Sequence, residues 1–305
     1  MRIFKNRGDI YLPSTKIKAD IEHKILLILL SFLVAFTAVF LVVVGIKYDF
    51  SVKNFFAPNI ETTQDNNNSV KLPSVSGKNN FLFIMSNSDT DEMYFCSVIQ
   101  IDYDNIAYKV CTLDKNTVVE GKSLGDIYST SAAGSVVNAV STLLDIKIDY
   151  YIDESLSNYK KMFDFLGEIN YLLLDDIVYK DTSTYGFNIK LSAGSQNING
   201  DVTSKIMRYY LSEKKYGVVN DILLAALSQQ INPENFNKKD KLFSSFISLS
   251  NTNITITDFT KSEDGLRLLS SETTGVNIYS VTPDYENNEL SNASIDNIRG
   301  YFAKD

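Results

Sequence analysis

The chain has 305 residues, 37 Asp and Glu against 29 Lys and Arg, a formal net charge of −8 and a single histidine. Six cations and three anions fall in the first 24 residues, which leaves −11 for the remainder. An acidic body is a poor partner for nucleic acid or for a purely electrostatic grip on anionic lipid, and with His23 the sole imidazole, Ser-His-Asp and Cys-His catalysis and His-ligated metals are excluded from everything beyond it.

Residues 25–46, ILLILLSFLVAFTAVFLVVVGI, carry no charge. As a helix rising about 1.5 Å per residue they span a hydrocarbon core of roughly 30 Å. Cations crowd the N-terminal flank, whereas the twenty residues after the run offer only Lys47 and Lys53. The positive-inside rule therefore predicts a cytoplasmic tail at 1–24, a transmembrane signal anchor at 25–46 and an extracellular main domain on a single-pass protein of the cell membrane. A cleaved signal peptide would have an apolar region of about 7–15 residues ending in small side chains; this run is longer and leads into Gly45-Ile46-Lys47-Tyr48.

Residues 47–80 are expected as a linker stalk, because 58–80 are rich in Asn, Ser, Thr, Gln and Pro and have no apolar period. A domain over 81–282 follows, with 283–305 as a C-terminal tail. Phe81–Met85 reads as a buried strand, and Tyr94–Ile101 and Ile106–Leu113 flank Asp102-Tyr103-Asp104-Asn105 as a hairpin. Val136, Val137, Val140, Leu143 and Leu144 recur at helical spacing, as do Leu156, Tyr159, Phe163 and Leu166, with a short strand Tyr150–Ile152 between them. Residues 169–191 read as strands and loops, 202–214 and 218–231 as helices, 234–250 as a third amphipathic helix, and 253–257 and 276–281 as late strands. Strands interleaved with helices predict an α/β domain, layered α/β/α around a mixed central sheet.

Centring the hairpin between Tyr103 and Asp104 sets Cys96 opposite Cys111. Directly opposed residues sit about 4.5–5.5 Å apart, within reach of a disulfide in an exported domain. Two buried thiols acting as small core hydrophobes are the other reading.

Several stretches resemble the LytR-CpsA-Psr family of bacterial envelope proteins. Leu191-Ser-Ala-Gly194-Ser-Gln196-Asn-Ile198-Asn199-Gly200, with Arg208 further on, is similar to the family's Gly, Gln, Leu, Asn-Gly run and the Tyr-x-Arg-x-Arg after it. Phe83-Ile84-Met85-Ser86-Asn87-Ser88 leading to Asp91-Glu92-Met93 resembles its Gly-Ser-Asp-Ser loop and Arg-x-Asp-Thr-Met; Leu113-Asp114-Lys115-Asn116-Thr117 stands at its Ile-Pro-Arg-Asp-Thr. The segment Ile146–Tyr150 and the helix ending Leu166-Gly167 are similar to its Ile-Asp-His-Tyr and Leu-x-Gly pieces. The resemblance covers roughly residues 80–282.

What it implies is transfer of a phosphate-linked glycopolymer from a polyprenyl pyrophosphate to peptidoglycan. The lipid tail would lie in an apolar pocket between sheet and helices, a divalent metal on aspartates, and the pyrophosphate among arginines, whose bidentate donors suit a polyanion. Carried over by position, Asp91 and Asn116 become the metal-side residues. Arg208 and Lys115 become the catalytic and pyrophosphate-binding cations, with Lys214 and Lys215 as further cations, and Mg²⁺ is the cofactor if the protein is active. The pattern also departs. Asp89 stands at an arginine position, Lys115 replaces an arginine, Asn116 an aspartate and Tyr210 the second arginine, while Val218 and Asp221 occupy two more. Replacing a guanidinium by a carboxylate beside a polyanion changes the sign of an interaction worth about 4 kcal/mol at 4 Å and a dielectric of 20. Three readings follow. The first is a degenerate member that binds a polyprenyl-phosphate lipid or an envelope partner; the second is an active Mg²⁺-dependent phosphotransferase; the third is a surface scaffold without a lipid ligand.

Overall fold

A computed structural model describes residues 73–182, 186–271 and 275–303. The expected cytoplasmic tail, membrane span and most of the stalk lie outside the described residues, and no described helix is long and apolar enough to cross a membrane.

The chain opens with three long strands, β1 (Lys78–Asn87), β2 (Glu92–Asp102) and β3 (Ala107–Asp114), followed by a small ribbon, β4 (Val118–Val119) and β5 (Lys122–Ser123). Next come α1 (Leu124–Leu144), β6 (Tyr150–Ser155) and α2 (Leu156–Leu166). Two hairpin-like pairs use β7 (Ile169–Leu173), β8 (Ile177–Lys180), β9 (Asn188–Leu191) and β10 (Gly194–Ile198). A helical stretch follows: α3 (Gly200–Ser212), α4 (Tyr216–Gln230), α5 (Pro233–Asn237) and α6 (Lys239–Leu249). After β11 (Asn251–Thr252) come α7 (Ile256–Lys261), α8 (Glu263–Leu269), β12 (Asn277–Ser280), the ribbon β13 (Tyr285–Glu286) and β14 (Glu289–Leu290), and α9 (Asn292–Ala303).

The central sheet runs β11-β6-β1-β2-β3-β12. It is mixed: β1–β2, β2–β3 and β6–β11 are antiparallel, whereas β1–β6 and β3–β12 are parallel. Alternation along β1 sends Phe83 and Met85 to one face and Leu82 and Ile84 to the other, so both faces are buried. The first face packs against α2, α3 and α4 through Tyr159, Ile206 and Val219; the second packs against α1 and α9 through Val136, Val140, Ile298 and Phe302. This is the expected layered α/β arrangement. Local signals set several helix starts: Ser123, Ser155 and Asn199 each accept a backbone N–H near the beginnings of α1, α2 and α3.

Several expectations change. The hairpin turn is centred one residue later, because the Asp102 carboxylate accepts both the backbone N–H and the side-chain amide of Asn105 (each 3.0 Å) and pins a turn over Tyr103–Ile106. Pairing slides by two, so Cys96 opposes Leu113 and Cys111 opposes Val98. The two thiols are therefore free and buried, not bonded, and burial pushes both above the ordinary thiol range. Next, no strand occupies 253–257: β11 ends at Thr252, and α7 begins at Ile256 behind a reciprocal cap between Thr255 and Asp258. The helix expected at 234–250 likewise breaks at Lys238 into α5 and α6. Last, the expected tail at 283–305 contains a packed helix: Ile298 and Phe302, four residues apart on α9, are 0% and 3% exposed.

Candidate functional site

Strands β1, β3, β6 and β12 all run in one direction, so their carboxyl ends, with the loops after them, gather at one edge of the sheet. Open α/β sheets place ligands at that edge, and the residues singled out at 86–91, 114–117 and 208 belong to it or to the helix beside it.

After β3, Asp114 organises the loop. Its Oδ1 accepts the backbone N–H (2.8 Å) and side-chain amide (2.9 Å) of Asn116, and its Oδ2 accepts the phenol of Tyr216 at 2.9 Å. Tyr285 accepts the Asp114 N–H at 3.0 Å and shares a hydrogen bond of 2.9 Å with buried Thr117. Burial, then the Asp114 carboxylate, pushes the Tyr216 phenol above its usual range. Lys115 is partly exposed, and its backbone carbonyl accepts the Gly125 N–H at 2.8 Å.

A second group forms where β1 and β6 end. Asp153 accepts Ser86 Oγ at 3.0 Å and the Tyr128 phenol at 3.1 and 3.0 Å. Burial raises the Asp153 carboxyl, against the lowering of its hydrogen bonds from Ser86, Tyr128 and Asn251. Tyr128 is pushed up to about 12, by burial first and also by Asp153 and Asp91, while its bond to Ser86 pulls the other way. Asp91 itself is exposed and left-handed (φ 51°) in the turn after β1.

Arg208 on α3 lies between two rings, its guanidinium carbon 4.5 Å from the Tyr94 centroid and 4.4 Å from that of Phe187. Burial raises the Tyr94 phenol, Arg208 lowers it, and Glu92 and Asp89 raise it again, so the 89–92 loop and Arg208 flank one ring. Lys214 and Lys215 are exposed in the turn between α3 and α4; Lys215 Nζ lies 5.7 Å from the Tyr210 centroid. Tyr210 is buried, and Asp221 is exposed on α4, where it and Tyr210 add to the burial that holds Tyr171 at about 12. The structure thus brings Arg208 and the 89–92 loop together, while the positions that the resemblance assigns to further guanidinium groups hold Asp89, Lys115, Tyr210, Val218 and Asp221.

The Asn116 amide is turned to donate to Asp114, whose two oxygens are engaged by Asn116 and Tyr216. Among the described residues no three His, Cys, Asp or Glu side chains converge closely enough to hold a metal ion.

Between the sheet and α2, α4 and α6 lies a cavity of about 240 Å³, walled by Phe83, Ile99, Ile152, Phe163 and Leu223. A second, of about 210 Å³, extends among α5, α6, α7 and α8 past Phe236, Phe243 and Phe259. Met162, Leu166, Gln230, Ile231 and Phe246 line both, so the two adjoin. Tyr159 and Phe163, which periodicity marks only as core, stand on the cavity wall. Sequence reasoning missed Glu154 there, although an acid two residues after Ile152 on a strand buried on that face was a readable signal. Asp114, Tyr128, Asp153, Tyr216 and Tyr285 were missed too, because their convergence comes from distant segments.

A family model described as LytR_cpsA_psr family matches residues 109–303. No curated protein sequence matches. Among solved structures the chain is similar to a Eubacterium siraeum protein described as a transcription regulator (16% identity, TM-score 0.65, 78% of this chain and 95% of that one). It is also similar to TagV of B. subtilis (18%, 0.58, 75% and 97%), and to TagT bound to LI-WTA (12%, 0.54, 74% and 89%). At these identities the structures share the fold.

Proposed function

The chain belongs to the LytR-CpsA-Psr family, and from that membership we propose that it serves the bacterial cell envelope as a single-pass, membrane-anchored protein that binds a lipid of the polyprenyl-phosphate class without transferring its head group. The observation that carries this reading is the apolar cavity between sheet and helices, at the place where the resemblance puts a lipid tail. Its walls bring aliphatic and aromatic carbon from six elements together, and each methylene moved there from water contributes about 0.8 kcal/mol. The head-group end argues against transfer. A pyrophosphate needs several converging cations, and here Arg208 is held between two rings, Tyr210 replaces a guanidinium and Asp89 and Asp221 bring negative charge.

The test is native mass spectrometry of the full chain purified from bacterial membranes. The expected result is a co-purified polyprenyl lipid, lost when Ala226→Phe fills the cavity, and no glycopolymer transfer when Mg²⁺ and carrier are supplied. The retained Arg208 favours a second reading, an active phosphotransferase; Mg²⁺-dependent turnover abolished by Arg208→Ala would establish it instead. A chain that carries no lipid and refuses added lipid would leave a scaffold or partner-binding role.

A further inference from the structure

Two polar side chains interrupt the apolar wall of the cavity. Glu154, at the end of β6, is 5% exposed, and its Oε1 accepts Ser250 Oγ at 2.6 Å, which leaves Oε2 outside that bond. Tyr159, in the first turns of α2, is 6% exposed, and its phenol oxygen is buried with no hydrogen-bond partner. Both line the same cavity, and the Glu154 charge acts on the Tyr159 phenol. The Tyr159 ring is fixed by Phe83 (centroids 6.2 Å apart) and Phe163 (4.9 Å), so the hydroxyl is held in position by packing.

A hydrocarbon chain alone would leave the buried Tyr159 phenol without a partner and the Glu154 carboxylate with Ser250 alone in an apolar setting, and a polar group buried unpaired costs more than an ordinary hydrogen bond contributes. We propose that the ligand of this cavity is an aliphatic chain that carries a neutral hydroxyl, seated between Glu154 Oε2 and the phenol of Tyr159. One hydroxyl donates to the carboxylate and accepts from the phenol, satisfying both with a single atom. A phosphate or carboxylate would meet the Glu154 charge with its own sign, and an ammonium would have to bring a second ion into an apolar enclosure. The chain beyond the hydroxyl has the adjoining cavity past Phe236 and Phe243 to run into. This inference rests on the reading of the cavity as a lipid site, and it names the alcohol form of such a lipid as the species held.

The test uses the full chain in lipid nanodiscs and photoactivatable hexadecyl chains bearing a mid-chain diazirine and ending in hydroxyl, methyl, phosphate or amine. The labelled peptides are mapped in the wild type, Tyr159→Phe, Glu154→Gln and Ala226→Phe. The hydroxyl probe is expected to label α2 and α4 about tenfold more than the methyl probe. Tyr159→Phe, which removes one oxygen and keeps the ring, should erase that preference while the methyl probe labels as before. Equal labelling by hydroxyl and methyl probes in the wild type, or a preference that survives in Tyr159→Phe, overturns the proposal and leaves the lipid site standing. Stronger labelling by the phosphate or amine probe overturns it in favour of a charged ligand. No labelling of α2 and α4 that Ala226→Phe can remove overturns both the proposal and the lipid reading.

Discussion

Asn220 shows how one side chain ties the site to the sheet. Buried on α4, it accepts the Thr112 N–H at 2.8 Å and donates to the Val281 carbonyl at 3.0 Å, so a helix grips two neighbouring strand ends. Asn220→Ala strands both backbone groups and is expected to lower stability by about 1–3 kcal/mol, read as a lower urea midpoint at unchanged slope. Beside it, Thr112 and Ser97 share a buried hydrogen bond of 2.7 Å. None of this was legible in the sequence, where Asn220 is one polar residue in an apolar helical run. The thiols give a second residue-scale prediction. Cys96 and Cys111 should be silent to a thiol reagent in the native protein, and two thiols should react after denaturation without reductant. The sequence placed both on neighbouring strands and left two readings open, a disulfide and two buried thiols, of which the second holds. The turn alone decided that they pass each other, since a two-residue slide keeps the face and changes the partner.

At the scale of elements, long segments with strong periodicity were legible and short ones were not. The β2–β3 hairpin, the second half of α1, α2 and the pair α3 and α4 lie where hydrophobic spacing put them. The misread pieces are short, with ends set by caps: β11 and α7 meet within a few residues at the Thr255 and Asp258 cap. The C-terminal helix α9 was missed although Ile295, Ile298 and Phe302 recur at helical spacing; Ile298 and Phe302 are its buried apolar residues. Its last carbonyls are held by side chains of the sheet: Gln100 Nε2 donates to the Phe302 carbonyl at 2.9 Å and Lys109 Nζ to that of Tyr301 at 3.2 Å. Lys109 also lies 3.7 Å from the buried Asp102 carboxylate. Burial raises that carboxyl, but bonds from Asn105 with Lys78 and Lys109 outweigh it and leave it below the ordinary value. Phe302→Ala should therefore cost about 3 kcal/mol in chemical denaturation. Ending the chain before α9 should expose the second sheet face and yield a domain that binds hydrophobic dye.

Across the whole molecule, two buried carboxyls impose a pH dependence. Glu154 and Asp153 both have carboxyls raised above the usual range by burial, against partial lowering by hydrogen bonds. A carboxyl raised on folding supports the fold while it is protonated, below the unfolded value, and that support is lost as pH rises through the folded value. Glu154→Gln keeps the oxygen that accepts Ser250 and removes the charge. The variant should melt higher than the wild type at pH 7 to 8, and the gap should narrow toward pH 4, as measured by calorimetry without added lipid. If a hydroxylated chain occupies the cavity, its addition should raise the melting temperature of the wild type more than that of Tyr159→Phe.

The order of the long elements, the layered α/β class and the resemblance to one envelope family were all present in the chain itself. They depend on local periodicity and on short motifs whose residues are near neighbours. The hairpin register, the docking of α9, the aromatic clamp on Arg208 and the cavity with its two polar groups were decided by the tertiary structure. Each of these joins residues far apart in sequence: Gln100 meets Phe302, Asp114 meets Tyr216 and Tyr285, and Glu154 meets Ser250. No local pattern encodes such meetings, because they arise only when both faces of one sheet are covered at once.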